Sequence, residues 1–155
     1  MEQKVKANNK GFSLVELIVV VLIMAIIAVA LAPQVMKWVN NARIAVDRQT
    51  ADSVVAIARF ALTDEDANNA VVGTGGSEYT ITINNSGCTI KKGGTTPAAT
   101  DAFVAAFCSN IGVTTANSFN DIVMKSTDTE VVVTIATSGL VSSNAESVLT
   151  SADLD

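Results

Sequence analysis

The strongest constraint on this chain is a basic leader followed by a long apolar run near the N-terminus. Lys4, Lys6 and Lys10 come first, and the 21 residues from Phe12 to Ala32 then contain a single charged side chain, Glu16. As an α-helix this run would extend ~31 Å, about the thickness of the hydrocarbon core of a bilayer. The segment is therefore long enough and apolar enough to span a membrane.

The basic residues predict how such a span would be oriented. No basic residue follows Lys10 until Lys37. Because Lys and Arg near a span stay on the cytoplasmic side, the N-terminus is predicted to lie in the cytoplasm and the bulk of the chain outside. The sequence thus predicts a single-pass protein of the cytoplasmic membrane, with its N-terminus inside and its C-terminus outside.

Two ordinary interpretations of this segment compete. One is a secretory signal peptide, since Ala28-Val29-Ala30 and Ala30-Leu31-Ala32 both fit a small-residue cleavage site. The other is a plain single-pass anchor. Neither explains Glu16, because a carboxylate within a spanning segment costs roughly 2.5–3.5 kcal/mol on insertion scales and usually marks a function or a partner.

The residues Gly11-Phe12-Ser13-Leu14-Val15-Glu16 resemble the type III signal sequence of type IV pilins and pseudopilins. In that family a prepilin peptidase cuts after the glycine and methylates the new N-terminal phenylalanine. The resemblance implies cleavage between Gly11 and Phe12, N-methylation of Phe12, and loss of residues 1–11 as a leader peptide. It extends through the apolar run to Pro33 and Trp38.

The resemblance also implies that Phe12 and Glu16 act in subunit assembly. In the family the glutamate is thought to meet the N-terminal amine of a neighbouring subunit, and opposite charges attract strongly where the dielectric is low. The implied partners are further copies of the chain in a helical filament, the cytoplasmic membrane, the prepilin peptidase, and the assembly platform with its ATPase. The implied final location is an extracellular pilus or a periplasmic pseudopilus.

The apolar run is predicted to begin one long helix. Residues 12–33 form its transmembrane and assembly part, and residues 34–62 form an amphipathic continuation, because apolar residues recur there at spacings of three and four. Pro33 removes the hydrogen bond to the carbonyl of Val29, so a kink is expected there. Many pilins carry a glycine midway along the run, whereas this chain has Ala25.

Residues 63–155 are predicted to form one globular, β-rich head. Residues 63–76 are expected to be a loop, and the later elements follow from alternation, turn residues and helical spacing. The predicted elements are a hairpin of 79–83 and 88–91, a short helix at 101–110, strands at 121–125 and 130–136, and a last helix at 143–149 or a strand at 139–142. The predicted fold class is α+β, in which the long helix packs against an antiparallel sheet of three or four strands, as in pilins.

The two cysteines, Cys88 and Cys108, are exported together under the predicted topology, in a setting where disulfides persist if an oxidising system exists. A bond between them would close a loop of about 20 residues and stabilise the fold by ~3 kcal/mol. A disulfide is the favoured interpretation. The alternative is two small buried thiols.

Composition argues against several classes of function. The chain has no histidine, so it lacks the commonest general base and metal ligand. Asp64, Asp66 and Asn68 have the alternate spacing of a calcium loop, but Asn69 stands at the glycine position and Gly75 at the glutamate position. No catalytic, cofactor-binding or metal-binding residue is therefore predicted, and the chain is not expected to be an enzyme.

Charge argues against nucleic acid as a general partner. Removing residues 1–11, with one acidic residue and three lysines, changes the net charge from -5 to -7. From residue 61 onward, eleven acidic residues face three lysines, which gives the head a charge of -8. Such a surface repels phosphate backbones.

The predicted function is that of a structural subunit of a type IV pilus or pilus-like filament, with roles such as adhesion, motility or DNA uptake. A pseudopilin or minor pilin of a type II secretion or competence system is the alternative within the family. A secreted or membrane-anchored binding protein with an ordinary signal peptide is the alternative from another class.

Overall fold

The computed structural model describes residues 12–113, 119, 122–126 and 130–149. The chain divides into two units, residues 1–38 and 39–155. A single helix, α1 (Leu14–Ala61), contributes to both of them. Its bounds lie within two residues of the predicted helix, as expected for a stretch that contains no glycine.

In the second unit one face of α1 is buried in the core of the head. Its buried side chains are Asp47, Ala51, Val54, Ala58 and Ala61, which recur at spacings of three and four. Most of them are small, so the helix backbone lies close to the elements that cover it. Two arginines of α1 also bind the C-terminal part of the head: Arg48 donates to the carbonyl of Leu149 at 2.7 Å, and Arg59 to that of Val141 at 3.4 Å.

The described strands form one antiparallel sheet in the order β2-β1-β3-β4, which confirms the predicted α+β fold. The strands are β1 (Tyr79–Asn84), β2 (Gly87–Lys92), β3 (Val131–Ile135) and β4 (Val141–Ser143). The predicted buried face of the β1–β2 hairpin is confirmed. It consists of Tyr79, Ile81, Ile83, Cys88 and Ile90.

A helix, α2 (Glu65–Val72), replaces most of the loop that was predicted for residues 63–76. Asp64 is its N-cap, and the carboxylate accepts a hydrogen bond from the N–H of Ala67 at 3.0 Å. Ala67 and Val71 are buried. The loop prediction was wrong because burial of these two side chains and the cap outweigh the low helix propensity of the neighbouring asparagines.

The predicted short helix is confirmed as α3 (Ala102–Ile111), which is capped by Asp101. The strand predicted at 121–125 is not present in the described residues 122–125, whose backbone follows an irregular path. At the C-terminal end both alternatives occur, since β4 is followed by α4 (Ala145–Val148). The N-cap of α4 is Asn144, whose side chain instead accepts from the N–H of Val132 at 2.7 Å.

Candidate functional site

The first unit presents an apolar helix that nothing in the described structure covers. Every residue from Phe12 to Trp38 is exposed. An 18-residue window of α1 has a mean hydropathy of 3.2, and α1 is the one described helix that is long and apolar enough to cross a membrane. Because exposed apolar surface of this extent is unfavourable in water, this segment requires a lipid or protein environment.

The helix begins with a hydrogen bond between two of the residues singled out in the sequence. The backbone N–H of Ser13 donates to Oε2 of Glu16 at 3.0 Å. The carbonyl of Ser13 accepts from the N–H of Leu17 at 3.3 Å, so Ser13 is the N-cap and Glu16 lies in the first turn. This is one half of a capping box, in which the third helical residue reaches back to the cap.

The capping bond was not predicted, although the Ser-x-x-Glu pattern at Ser13–Glu16 was a signal that could have revealed it. A negative charge in the first turn also interacts favourably with the positive end of the helix dipole. The bond engages Oε2 of Glu16. Since an ionised carboxylate accepts through two oxygens and about four lone-pair sites, Glu16 keeps acceptor capacity for a further donor.

The structure places Phe12 directly before this capped turn, with 87% of its surface exposed. Gly11 lies outside the described residues. Pro33 lies inside α1, which continues through it. The kink at Pro33 therefore stays a prediction.

In the head, a buried carboxylate holds the irregular segment 122–126 against α1. Asp47 is 0% exposed. It accepts hydrogen bonds from the N–H of Lys125, from the N–H of Ser126 at 2.7 Å, and from the hydroxyl of Ser126. These donors compensate the cost of burying the charge. The sequence did not single out Asp47, because its partners lie 78 and 79 positions further along the chain.

A second cluster joins the start of α3 to the sheet. Asp101 accepts from the hydroxyl of Tyr79 at 2.7 Å and forms an ion pair with Nζ of Lys92 at 2.9 Å. Burial raises the pKa of Tyr79. Burial acts to raise the pKa of Asp101 as well, but the hydrogen bonds from Lys92 and Tyr79 outweigh it, and the pKa is lowered. Hydrogen bonding with Tyr79 and Asp101 raises the pKa of Lys92.

Cys88 and Cys108 are both buried and both free, so the structure does not contain the disulfide expected from the sequence. Burial raises the pKa of the Cys88 thiol to about 12 and also raises that of Cys108. Both sulfurs are therefore protonated and weakly reactive near neutral pH.

The acidic residues of the head do not gather into a metal site in the part of the chain that the structure describes. No group of three or more His, Cys, Asp or Glu side chains there has the proximity to hold an ion. Asp64 and Asp66, which have calcium-loop spacing in the sequence, instead begin α2, with Asp64 as its cap.

Comparison with known families identifies the N-terminal segment. The family model described as the prokaryotic N-terminal methylation motif matches residues 6–32. This motif is the hallmark of the type IV prepilin signal sequence. No curated protein and no solved structure matches the chain.

Residues 6–32 carry the type IV prepilin signal motif. The described residues add a long apolar N-terminal helix and a small antiparallel sheet, which is a pilin-like α+β layout. The motif and the apolar helix fit a membrane-anchored protein.

Proposed function

We propose that the mature chain, Phe12 to Asp155, is the structural subunit of a type IV pilus or pilus-like filament and polymerises through its N-terminal helix. One observation carries the proposal. The apolar helix from Leu14 onward is exposed along its whole length in the first unit, yet its first turn contains a carboxylate, Glu16. A membrane accommodates the apolar surface before assembly, and neighbouring helices accommodate it afterwards.

Cleavage of the leader peptide creates a positive charge that can pair with Glu16. Cleavage between Gly11 and Phe12 leaves an ammonium group on Phe12, at the head of the same apolar segment. In a low-dielectric environment the ammonium of one subunit and the Glu16 carboxylate of the next attract strongly. This attraction selects one register between neighbouring helices, because a shift along the helix leaves both charges unpaired.

The proposed partners are a prepilin peptidase, the assembly platform with its ATPase, and further copies of the chain. Before assembly the protein spans the cytoplasmic membrane with its N-terminus inside. After assembly it lies in an extracellular pilus, where the roles are adhesion, motility or DNA uptake. The alternative is a periplasmic pseudopilus of a secretion or competence system, in which the subunits would assemble through the same helix.

The mature N-terminus tests this proposal against a secreted binding protein. We expect mass spectrometry of the mature protein to find N-methylated phenylalanine at position 12. A signal peptidase that recognised Ala28-Val29-Ala30 or Ala30-Leu31-Ala32 would leave Leu31 or Pro33 at the N-terminus. Either of those ends would contradict the proposal.

A further inference from the structure

An open cleft of about 310 Å³ lies on the head where the end of α1, the start of α2 and the end of α3 meet. Its lining residues are Phe60, Thr63, Asp64, Ala106, Ser109 and Asn110. Phe60 is 62% exposed, on a helix that buries its opposite face in the core. A neighbouring molecule that covered this ring would remove apolar surface from water.

The chemistry of the cleft fits a cation. Asp64 and Phe60 both line the cleft, and one carboxylate oxygen of Asp64 accepts a hydrogen bond from the N–H of Ala67. Glu65 and Asp66 follow directly and are exposed, so the local charge is negative. A cation between an aromatic face and a carboxylate gains both a cation–π and a Coulombic interaction. The exposed Ser109 and Asn110 add hydrogen-bonding groups at the rim.

The head carries a suitable cation on another surface. Lys91 is exposed and forms no ion pair with any residue that the structure describes, whereas its neighbour Lys92 is paired with Asp101. Ile90, which precedes Lys91 in β2, is buried in the core. Because successive strand residues point to opposite faces, Lys91 projects from the outer face of the sheet, away from the helices that line the cleft.

We infer that Lys91 of one subunit binds in the cleft of Phe60 and Asp64 on a neighbouring copy of the chain. This inference rests on the proposed function, since it assigns a contact between heads in the filament. The two surfaces are different parts of the same molecule, so the contact is heterologous, and a heterologous contact extends into an open filament when its rotation does not close a ring. It also places a cation against the acidic surface of a head whose sequence charge is -8.

Charge reversal and its rescue test the contact. Lys91→Glu places a carboxylate opposite Asp64, and Asn110→Lys places a cation opposite Lys91. Each variant is expected to reduce the yield of sheared filaments about fivefold, the order of change that follows from losing one exposed charge pair. The double variant Lys91→Glu with Asn110→Lys should recover most of the yield, because it restores opposite charges across the contact.

Lys125→Glu is the matched control, since it makes the same charge change on another exposed lysine of the head. Wild-type yield from both single variants, or a double variant no better than the worse single variant, would overturn the inference. An equal loss from Lys125→Glu would also overturn it, because net charge alone would then explain the effect. Filaments that form normally in Lys91→Glu but fail in Glu16→Ala would refute this contact and leave the proposed function standing.

Discussion

The N–H of Ser13 donates to Oε2 of Glu16 at 3.0 Å, so the carboxylate that marks this signal sequence also caps its own helix. The sequence predicted one role for Glu16, in subunit assembly, and this bond adds a second role within the chain. Glu16 stabilises the first turn within the chain, and in the proposed filament it offers a charge to a neighbouring subunit. Substitutions that separate hydrogen bonding from charge can therefore distinguish the two roles.

Asp47 is expected to be the most sensitive polar position in the head. Asp47→Ala leaves the N–H groups of Lys125 and Ser126 and the hydroxyl of Ser126 without their acceptor. Since a buried unsatisfied donor costs about 1–3 kcal/mol, we expect the free energy of unfolding to fall by ~2–5 kcal/mol. Denaturant unfolding of the detergent-solubilised chain measures this.

Asp52→Ala is the control for this substitution, because Asp52 lies on the exposed side of the same helix. Its effect should stay within ~0.5 kcal/mol, as is usual for surface positions. Equal stability of the two variants would contradict the assigned role of Asp47.

The cluster of Tyr79, Lys92 and Asp101 predicts a dependence of stability on pH. The pKa of Asp101 is lowered in the folded state, so its contribution is present above the unfolded pKa, about 3.9, and is lost as pH falls through the folded pKa below that value. Asp101→Asn should reduce stability by ~1–3 kcal/mol at neutral pH, because it weakens charged hydrogen bonds while keeping a good N-cap residue.

The difference in free energy of unfolding between wild type and Asp101→Asn should begin to shrink as pH falls below about 4 and should be lost as pH falls through the lowered pKa of Asp101 in the folded state. The pKa values of Tyr79 and Lys92 are raised in the folded state, so both groups contribute to the free energy of unfolding at neutral pH. These contributions are lost as pH rises through the folded pKa values. Measurement of the free energy of unfolding from pH 2.5 to 11 would check both the acid and the alkaline effect. A constant difference across the acid range would argue against the ionised form of Asp101 as the stabilising one.

The cysteines give a prediction that can be tested by titration. With both thiols free and buried, thiol reagents should react slowly with the folded protein near neutral pH. After unfolding without reductant, two thiols per chain should react. No reactive thiol in the unfolded, unreduced protein would instead establish the disulfide that the sequence favoured.

The long helix and the β1–β2 hairpin could be predicted from sequence because both depend on local periodicity. Apolar spacing of three and four carries α1 to Ala61, and strict alternation with an Asn-Ser turn defines the hairpin. The motif around Gly11, Phe12 and Glu16 was equally local. It was identifiable because a carboxylate at the start of the apolar run is not a feature of an ordinary signal peptide.

The elements that were missed depend on long-range contacts. Ile122, Val123 and Met124 form a short apolar run that favours a strand, but the N–H of Lys125 donates to Asp47, which lies 78 positions earlier in the chain. No local pattern reveals that partner. Similarly, α2 forms because Ala67 and Val71 are buried by the rest of the head, and composition alone made that segment resemble a loop.

Replacement of Glu16 tests the central claim, which is that a carboxylate in the apolar helix guides subunits into the filament. Glu16→Ala removes both the cap and the charge. Glu16→Gln keeps an oxygen that can accept from the N–H of Ser13 but loses the ionic attraction to the ammonium of Phe12. Neither variant should impair cleavage after Gly11 or insertion into the membrane, because loss of a charge makes insertion easier.

The decisive measurement is the yield of sheared filaments from cells that carry each variant, with the amount of processed subunit in the membrane measured in parallel. We predict normal processing with a severe loss of filaments for Glu16→Ala, and a smaller but clear loss for Glu16→Gln. Normal filament yield from Glu16→Ala cells would contradict the account.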